Sequence, residues 1–307
     1  MPTDHHIQPI LPASLSPKDN IGIIAPASPF DKNKFLNGIT VLESIGFKAV
    51  FPQKIFEAQG FLAGSDQHRA QMLNSMFADP SIDAIWCARG GYGSLRILPL
   101  IDYDIIKSNP KVFIGCSDIS AILNTFFSKC GLVTFHGPMI ESLGLANKQT
   151  IQALNDIFLT DQRLTLKSEN KFVISSGTAS GVVAGGNLTT LCHLTGTPFA
   201  PNFSKKILLI EDVGEAPYRI DRMLTQMMLA GSFKQIAGII LGSFKNCGES
   251  DQIYRIVDDA FSDFHIPILA GFNIGHGEPN LTVPIGIQAR LDTEKGSLSY
   301  LESPFRT

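Results

Sequence analysis

The chain lacks most of the features that would point to a partner directly. No apolar run approaches the roughly 20 residues that cross a bilayer. There is no run of Lys and Arg, and the formal net charge is −3, so nucleic acid and anionic membrane surfaces are poor partners. The five cysteines (Cys87, Cys116, Cys130, Cys192 and Cys247) are odd in number, far apart and form no C-x-x-C pair. That pattern argues against a disulfide framework and against a zinc site. There is no H-E-x-x-H and no cluster of His, Asp and Glu at ligand spacing, so neither a metal nor a cofactor is expected. Tryptophan occurs once, at Trp86. The opening Met-Pro-Thr-Asp-His-His has neither the basic start nor the apolar core of a signal peptide, and a cytoplasmic location is expected.

What remains describes a well-buried globular protein. Hydrophobic residues make up 44% and charged residues 17% of 307 positions, enough for about two domains of roughly 150 residues. Short apolar runs at 21–25, 84–88, 112–114 and 132–135 alternate with helical spacings at 32–45, 66–77, 95–100 and 149–160. This βα alternation, with near-continuous apolar strands, predicts an α/β fold with a parallel sheet covered on both faces. Residues 161–180 are polar and read as a linker, which divides the chain into domains 1–160 and 181–307. In the second part, strands are expected at 206–212, 236–241, 267–270, 283–292 and 297–302, with helices at 188–194, 218–229 and 251–261.

The stretch Val112-Phe-Ile-Gly-Cys-Ser-Asp-Ile119 is the centre of the chain. A buried strand hands over to a helix there, and in open parallel sheets that edge is where ligands bind. Ser117 at such a turn is a nucleophile if a base reaches it. Among the seven histidines, His5 and His6 lie in a polar lead-in, His68 on the polar side of a helix, and His193 in a helix as a core residue. His276, between two glycines in a loop, and His136, at a strand end, are rival bases. Glu211 and Asp212 close an apolar run. Successive strand residues point to opposite sides, so only one of them can face a given pocket. Arg89-Gly-Gly-Tyr-Gly93 follows a strand, but its spacing is neither G-x-G-x-x-G nor that of a P-loop. Backbone donors for an oxyanion fit it equally well. Gly115-Cys-Ser-Asp-Ile119 has the first glycine of the G-x-S-x-G elbow and lacks the second.

Eight segments, in order from about residue 21 to residue 290, together resemble the LD-carboxypeptidases, serine peptidases that include the microcin C self-immunity carboxypeptidases. They are Ile24-Ala-Pro-Ala-Ser28, Arg89-Gly-Gly-Tyr-Gly93, Gly115-Cys-Ser-Asp-Ile119, His136-Gly-Pro138, Gly185-Gly-Asn-Leu188, Ile210-Glu-Asp212, Tyr218-Arg-Ile-Asp-Arg222 and Gly275-His276. The resemblance implies a Ser-Glu-His triad of Ser117, Glu211 and His276, with the backbone N–H groups of Gly90 and Asp118 as oxyanion hole. Where the family has an aromatic residue before the serine, this chain has Cys116. The resemblance further implies an N-terminal parallel α/β domain, a smaller C-terminal mixed domain and a site between them. The implied reaction releases terminal D-alanine from murein tetrapeptide, with Arg89 a candidate for the substrate carboxylate, and the implied assembly is a homodimer. An immunity-type activity on a peptidyl or acyl-sulfamoyl nucleotide is the alternative; Trp86, expected in a buried strand, is poorly placed to stack a base. A non-catalytic two-domain binding protein is the second alternative, and it would need no triad.

Overall fold

Short runs of β-branched and aromatic residues build the first of two sheets. The computed structural model describes residues 8–160 and 163–306; His5, His6 and the start of the expected linker, Asp161 and Gln162, lie outside the described residues. Strands β1 (Asn20–Ile24), β2 (Lys48–Val50), β3 (Ala84–Cys87), β4 (Val112–Gly115) and β5 (Thr134–His136) run parallel in the order β2-β1-β3-β4-β5. Every residue of β3, β4 and β5 is buried, as a sheet covered on both faces requires. Trp86 is fully buried in β3 and donates its indole N–H to the Pro138 carbonyl at 2.7 Å. The segments after β1, β3, β4 and β5 all leave the same edge of this sheet. Residues 25–29, 89–93, 116–119 and 136–138 therefore meet there.

The second sheet contains β6 (Thr165–Lys167), β7 (Phe172–Ser175), β8 (Thr178–Asn187), β9 (Lys206–Val213), β10 (Gly238–Lys245), β11 (Ile268–Ala270), β13 (Gln288–Asp292) and β14 (Ser297–Tyr300). Their order is β6-β14-β13-β8-β9-β10-β11-β7, parallel from β8 to β11 and antiparallel elsewhere. Two expectations are corrected here. The described part of the expected linker is not a free tether, because it supplies both edge strands, β6 and β7, and the start of β8. The strand expected at 283–292 is two strands. β12 (Val283–Ile285) pairs antiparallel with β5 in the first sheet, and β13 pairs with β8 in the second. The strand β6 (Thr165-Leu-Lys167) is short and mostly polar, as an edge strand with one side in water can be, and β7 (Phe172-Val-Ile-Ser175) is a four-residue apolar run set between polar segments. The chain thus returns to the first unit before it ends, and a boundary drawn once along the sequence does not separate the two sheets.

Alternation along β9 divides the core. Ile207 and Leu209 pack with the first sheet, whereas Leu208 and Ile210 pack under the helices Leu188–Leu194, Pro217–Leu229 and Ser250–Phe261. His193 is exposed instead of buried. The helical repeat turns Leu188, Leu191 and Cys192 inward and leaves His193 exposed. Among the described residues, no helix is long and apolar enough to cross a membrane.

Candidate active site

Ser117 leaves β4 with φ of +60°, the left-handed region that a non-glycine residue seldom adopts. Residues 117–119 make one tight turn, and the helix Ser120–Cys130 follows. This is a strand-to-helix elbow that projects the serine hydroxyl from the sheet edge, formed without the second glycine of the usual motif. Such backbone strain is of order 1–3 kcal/mol and persists where the surroundings fix it. Those surroundings are polar and specific. The Asp118 carboxylate accepts the Ser94 N–H at 2.8 Å, and the Asp118 carbonyl accepts the Ser94 hydroxyl at 2.6 Å. The Asp118 side chain is thereby committed to the fold, leaving its backbone as the part nearest the serine. Burial raises the Asp118 carboxyl and the Ser94 hydrogen bonds oppose it; the net shift is upward.

Gly90 lies directly against the serine. A Cβ on Gly90 would stand 2.9 Å from the Ser117 Cβ and 3.3 Å from its Oγ. The glycine is required for that approach. Gly90→Ala is expected to displace the hydroxyl and lower kcat on the order of 10²-fold with little change in KM, measured by steady-state kinetics. The Gly90 carbonyl accepts the Ser28 N–H at 3.1 Å. From below, the fully buried Arg69 donates to the Gly93 carbonyl at 2.8 Å and pairs with Asp66. Arg89 is half-exposed; it donates to the Pro29 carbonyl at 2.7 Å, and its Nε lies 3.4 Å from Glu141 Oε2. Arg89 is thus paired within the fold, to Glu141. Cys116 is buried, and burial together with the Glu211 charge pushes its thiol far above the ordinary range. A buried thiol of that kind is inert beside the serine.

Glu211 and Asp212 do face opposite ways. Glu211 follows Ile207 and Leu209 toward the first sheet, is fully buried, and accepts from His276 Nδ1 at 2.7 Å. Asp212 follows Leu208 and Ile210 under the helices. It accepts from Asn187 Nδ2 at 3.0 Å and from the Thr189 N–H and hydroxyl at 2.9 and 2.8 Å. Asp212 is thus tied to the start of a helix and Glu211 to the histidine. Burial alone would raise the Glu211 carboxyl, but His136 and His276 on its two sides outweigh that and bring it down to about 2. Burial likewise lowers His276; the hydrogen bond and charge of Glu211 win, and the ring stands above its ordinary value of 6.5. The loop that carries His276 is pinned on both sides, by Gly275 N–H to Asn280 at 2.9 Å and Gly277 N–H to Ser243 at 3.0 Å.

The structure brings Glu211 and His276 into contact. Among the described residues, no hydrogen bond joins the Ser117 hydroxyl to the His276 ring; in free enzymes such bonds are often long and tighten around substrate. A run of polar contacts links the serine to the carboxylate strand. Thr190 Oγ1 reaches the Ser117 carbonyl at 3.4 Å and Asn187 Oδ1 at 2.9 Å, and Asn187 bonds Asp212. The helix behind the serine is clipped to β8 as well. Asn124 exchanges two bonds of 2.9 Å with Gly185, and Ser120 Oγ accepts the Asn187 N–H at 3.0 Å. Sequence reading missed Ser120, Asn124, Thr190 and Arg69. The signal for the first two is a pair of polar residues one helical turn apart, flanking the apolar Ala121, Ile122 and Leu123.

A strained serine from one sheet, and a half-buried histidine on a fully buried carboxylate from the other, are parts that acyl-transfer hydrolases use. Comparison with known proteins makes the class definite. Residues 21–137 match the LD-carboxypeptidase N-terminal domain and residues 180–291 the LD-carboxypeptidase C-terminal domain. The probable murein peptide carboxypeptidase of Bacillus subtilis is 37% identical, over 92% of this chain and 91% of the relative. The murein tetrapeptide carboxypeptidase of Pseudomonas aeruginosa is 32% identical, over 89% and 92%. The solved structure of MccF in complex with glutamyl sulfamoyl guanosine superposes with a TM-score of 0.90 at 28% identity, covering 97% of this chain and all of that one. The chain belongs to the LD-carboxypeptidase family, and its activity class is that of a carboxypeptidase.

Proposed function

We propose that the protein is a serine LD-carboxypeptidase that releases terminal D-alanine from murein tetrapeptide, cutting between the L-centre of the diamino acid and D-alanine. The observation that carries this is the 2.7 Å contact between the half-buried His276, through Nδ1, and Oε2 of the fully buried Glu211. Two relatives named for murein peptides support the substrate class. In the proposed reaction the Ser117 hydroxyl attacks the scissile carbonyl while His276 takes its proton through Nε2. Glu211 holds the Nδ1–H and stabilises the imidazolium as it forms. The N–H groups of Gly90 and Asp118 receive the oxyanion. His276 then protonates the departing amine of D-alanine. Water, deprotonated by the same ring, attacks the acyl-serine and frees the tripeptide. Arg89 at the rim is a candidate for the D-alanine carboxylate.

The base must be neutral to act, and its pKa is raised. On lowering the pH, kcat/KM is therefore expected to fall with a midpoint above 6.5, the ordinary histidine value. A midpoint at or below that value contradicts the role given to Glu211.

Immunity-type cleavage of a peptidyl nucleotide is the second reading. Trp86 is buried, yet Phe61 and Tyr92 are exposed and meet edge-to-face at 5.5 Å, Tyr92 belonging to the same loop as Gly90. The test is incubation with L-Ala-D-Glu-meso-diaminopimelate-D-Ala and with an all-L control, product read by mass. Loss of one alanine from the first alone supports the murein reading; an inert tetrapeptide with a cleaved peptidyl nucleotide supports the second. We further propose a cytoplasmic homodimer, which sedimentation of the active protein would test; a fully active monomer contradicts it.

A further inference from the structure

Glu211 has two oxygens, and the triad uses one. Oε2 takes the His276 hydrogen bond; Oε1 is buried and, among the described residues, has no hydrogen-bond partner. The same is true of both ring nitrogens of His136, which is 0% exposed. His136 Nε2 stands 3.7 Å from Glu211 Oε1. Two buried, unpartnered polar groups therefore face each other across a gap less than about 1 Å longer than a good N–H···O bond. A buried carboxylate oxygen left unpaired is among the costlier defects in a protein interior.

We propose that His136 is a positioning residue for the reaction: its ring, carried by the first sheet, donates from Nε2 to the second oxygen of Glu211. The carboxylate is thereby clamped between two histidines, one from β5 and one from the loop after β11. This rests on the reading of Glu211 and His276 given above. Neutral His136 with its proton on Nε2 suffices, and no proton is transferred. A small ring rotation closes the bond.

The packing around the ring fits this role. His136 ends β5, in register with Gly115 on one side and Val283 on the other. Across the sheets it meets Gly186, whose φ is +138° and where a Cβ would stand 3.1 Å from His136 Cδ2 and 2.5 Å from Ser120 Oγ. A glycine at that place lets the ring reach the carboxylate. Two donors on opposite oxygens fix the carboxylate plane, so that Oε2 stays aimed at Nδ1; one donor leaves it free to turn. The other titratable groups near the pair are Asp212 on the same strand, Cys116 and Lys245.

The test compares the wild-type protein with His136→Leu, His136→Asn and His136→Gln. A glutamine amide nitrogen reaches where Nε2 stood; an asparagine reaches only Nδ1. Two quantities are measured: kcat and KM on the tetrapeptide, and the titration midpoint of His276 by NMR of 15N-histidine-labelled protein, which needs no substrate. Losing the Oε1 donor makes the carboxylate a stronger acceptor, so His276 holds its proton harder. In the Leu and Asn variants kcat is expected to fall about 10- to 100-fold with KM little changed, and the His276 midpoint to move to higher pH. Gln is expected to restore both. A folded Leu variant with wild-type kcat and an unmoved midpoint overturns the proposal. So does equal impairment of Leu and Gln with the midpoint unmoved, which is a packing defect. Should His276→Ala keep full turnover, the catalytic reading itself fails; should it be inert while His136→Leu behaves as wild type, only the clamp fails.

Discussion

Ser117→Ala is expected to lower kcat on the tetrapeptide on the order of 10⁵-fold while the protein remains folded. Among the described residues, no hydrogen bond that holds the elbow uses the Ser117 hydroxyl. The Ser117 carbonyl accepts from Thr190, Gly90 packs on its Cβ, and Asp118 anchors the turn to Ser94. None of these needs Oγ. Alanine keeps the Cβ at φ of +60°, so the backbone strain is the same in both proteins. Circular dichroism and thermal unfolding should coincide with wild type, and the residual rate should be that of bound substrate beside an intact oxyanion hole. Cys116→Ser serves as the companion. A buried, fully protonated thiol contributes no nucleophile, so this variant is expected to keep nearly full turnover. Activity lost with Cys116 and kept without the Ser117 hydroxyl would reverse the assignment.

The second large effect is expected from Glu211→Gln, on the order of 10⁴-fold in kcat. The amide is nearly isosteric but carries no charge. It can present its NH₂ to His276 Nδ1, which turns the ring to the tautomer whose Nε2 already bears a proton and cannot accept one from serine. The His276 midpoint should also fall, because burial lowers it and the Glu211 hydrogen bond and charge are what raise it. Asp212→Asn is the control. Its partners are Asn187, Thr189 and the backbone of Val213, so its loss should appear as a lower unfolding temperature and a smaller change in kcat. A greater catalytic loss from Asp212→Asn than from Glu211→Gln is incompatible with the alternation of side chains along β9.

Much of this was legible from residues alone, and the failures have physical causes. The parallel sheet could be read because its strands are short, apolar runs closed by turn residues; Ile21–Ile24 and Val112–Ile114 have no polar face to confuse the pattern. The elbow could be read from Gly115 and Ser117, although its strain could not. Local sequence left Glu211 and Asp212 equal, since alternation states that they differ without stating which side is which. Their sides follow from where Ile207 and Leu209 pack, which is a tertiary fact. The edge strand β6 was hidden by its polarity and β7 by its shortness between polar segments. The break between β12 and β13 was hidden because residues 283–292 read as one continuous strand, and only the pairing partners, β5 and β8, reveal two sheets. His136 was set aside as a rival base. Its distance from Glu211 Oε1 spans two sheets and has no expression in sequence spacing.

The most direct measurement is a crystal structure of Ser117→Ala with the tetrapeptide bound. The account predicts the carbonyl carbon of the L-centre about 3–3.5 Å from where the missing hydroxyl would stand. Its oxygen should lie about 2.7–3.1 Å from the N–H groups of Gly90 and Asp118, with His276 Nε2 within hydrogen-bond reach of the scissile amide. A peptide bound with that carbonyl elsewhere, or a His276 ring out of reach of the elbow around bound substrate, would contradict it.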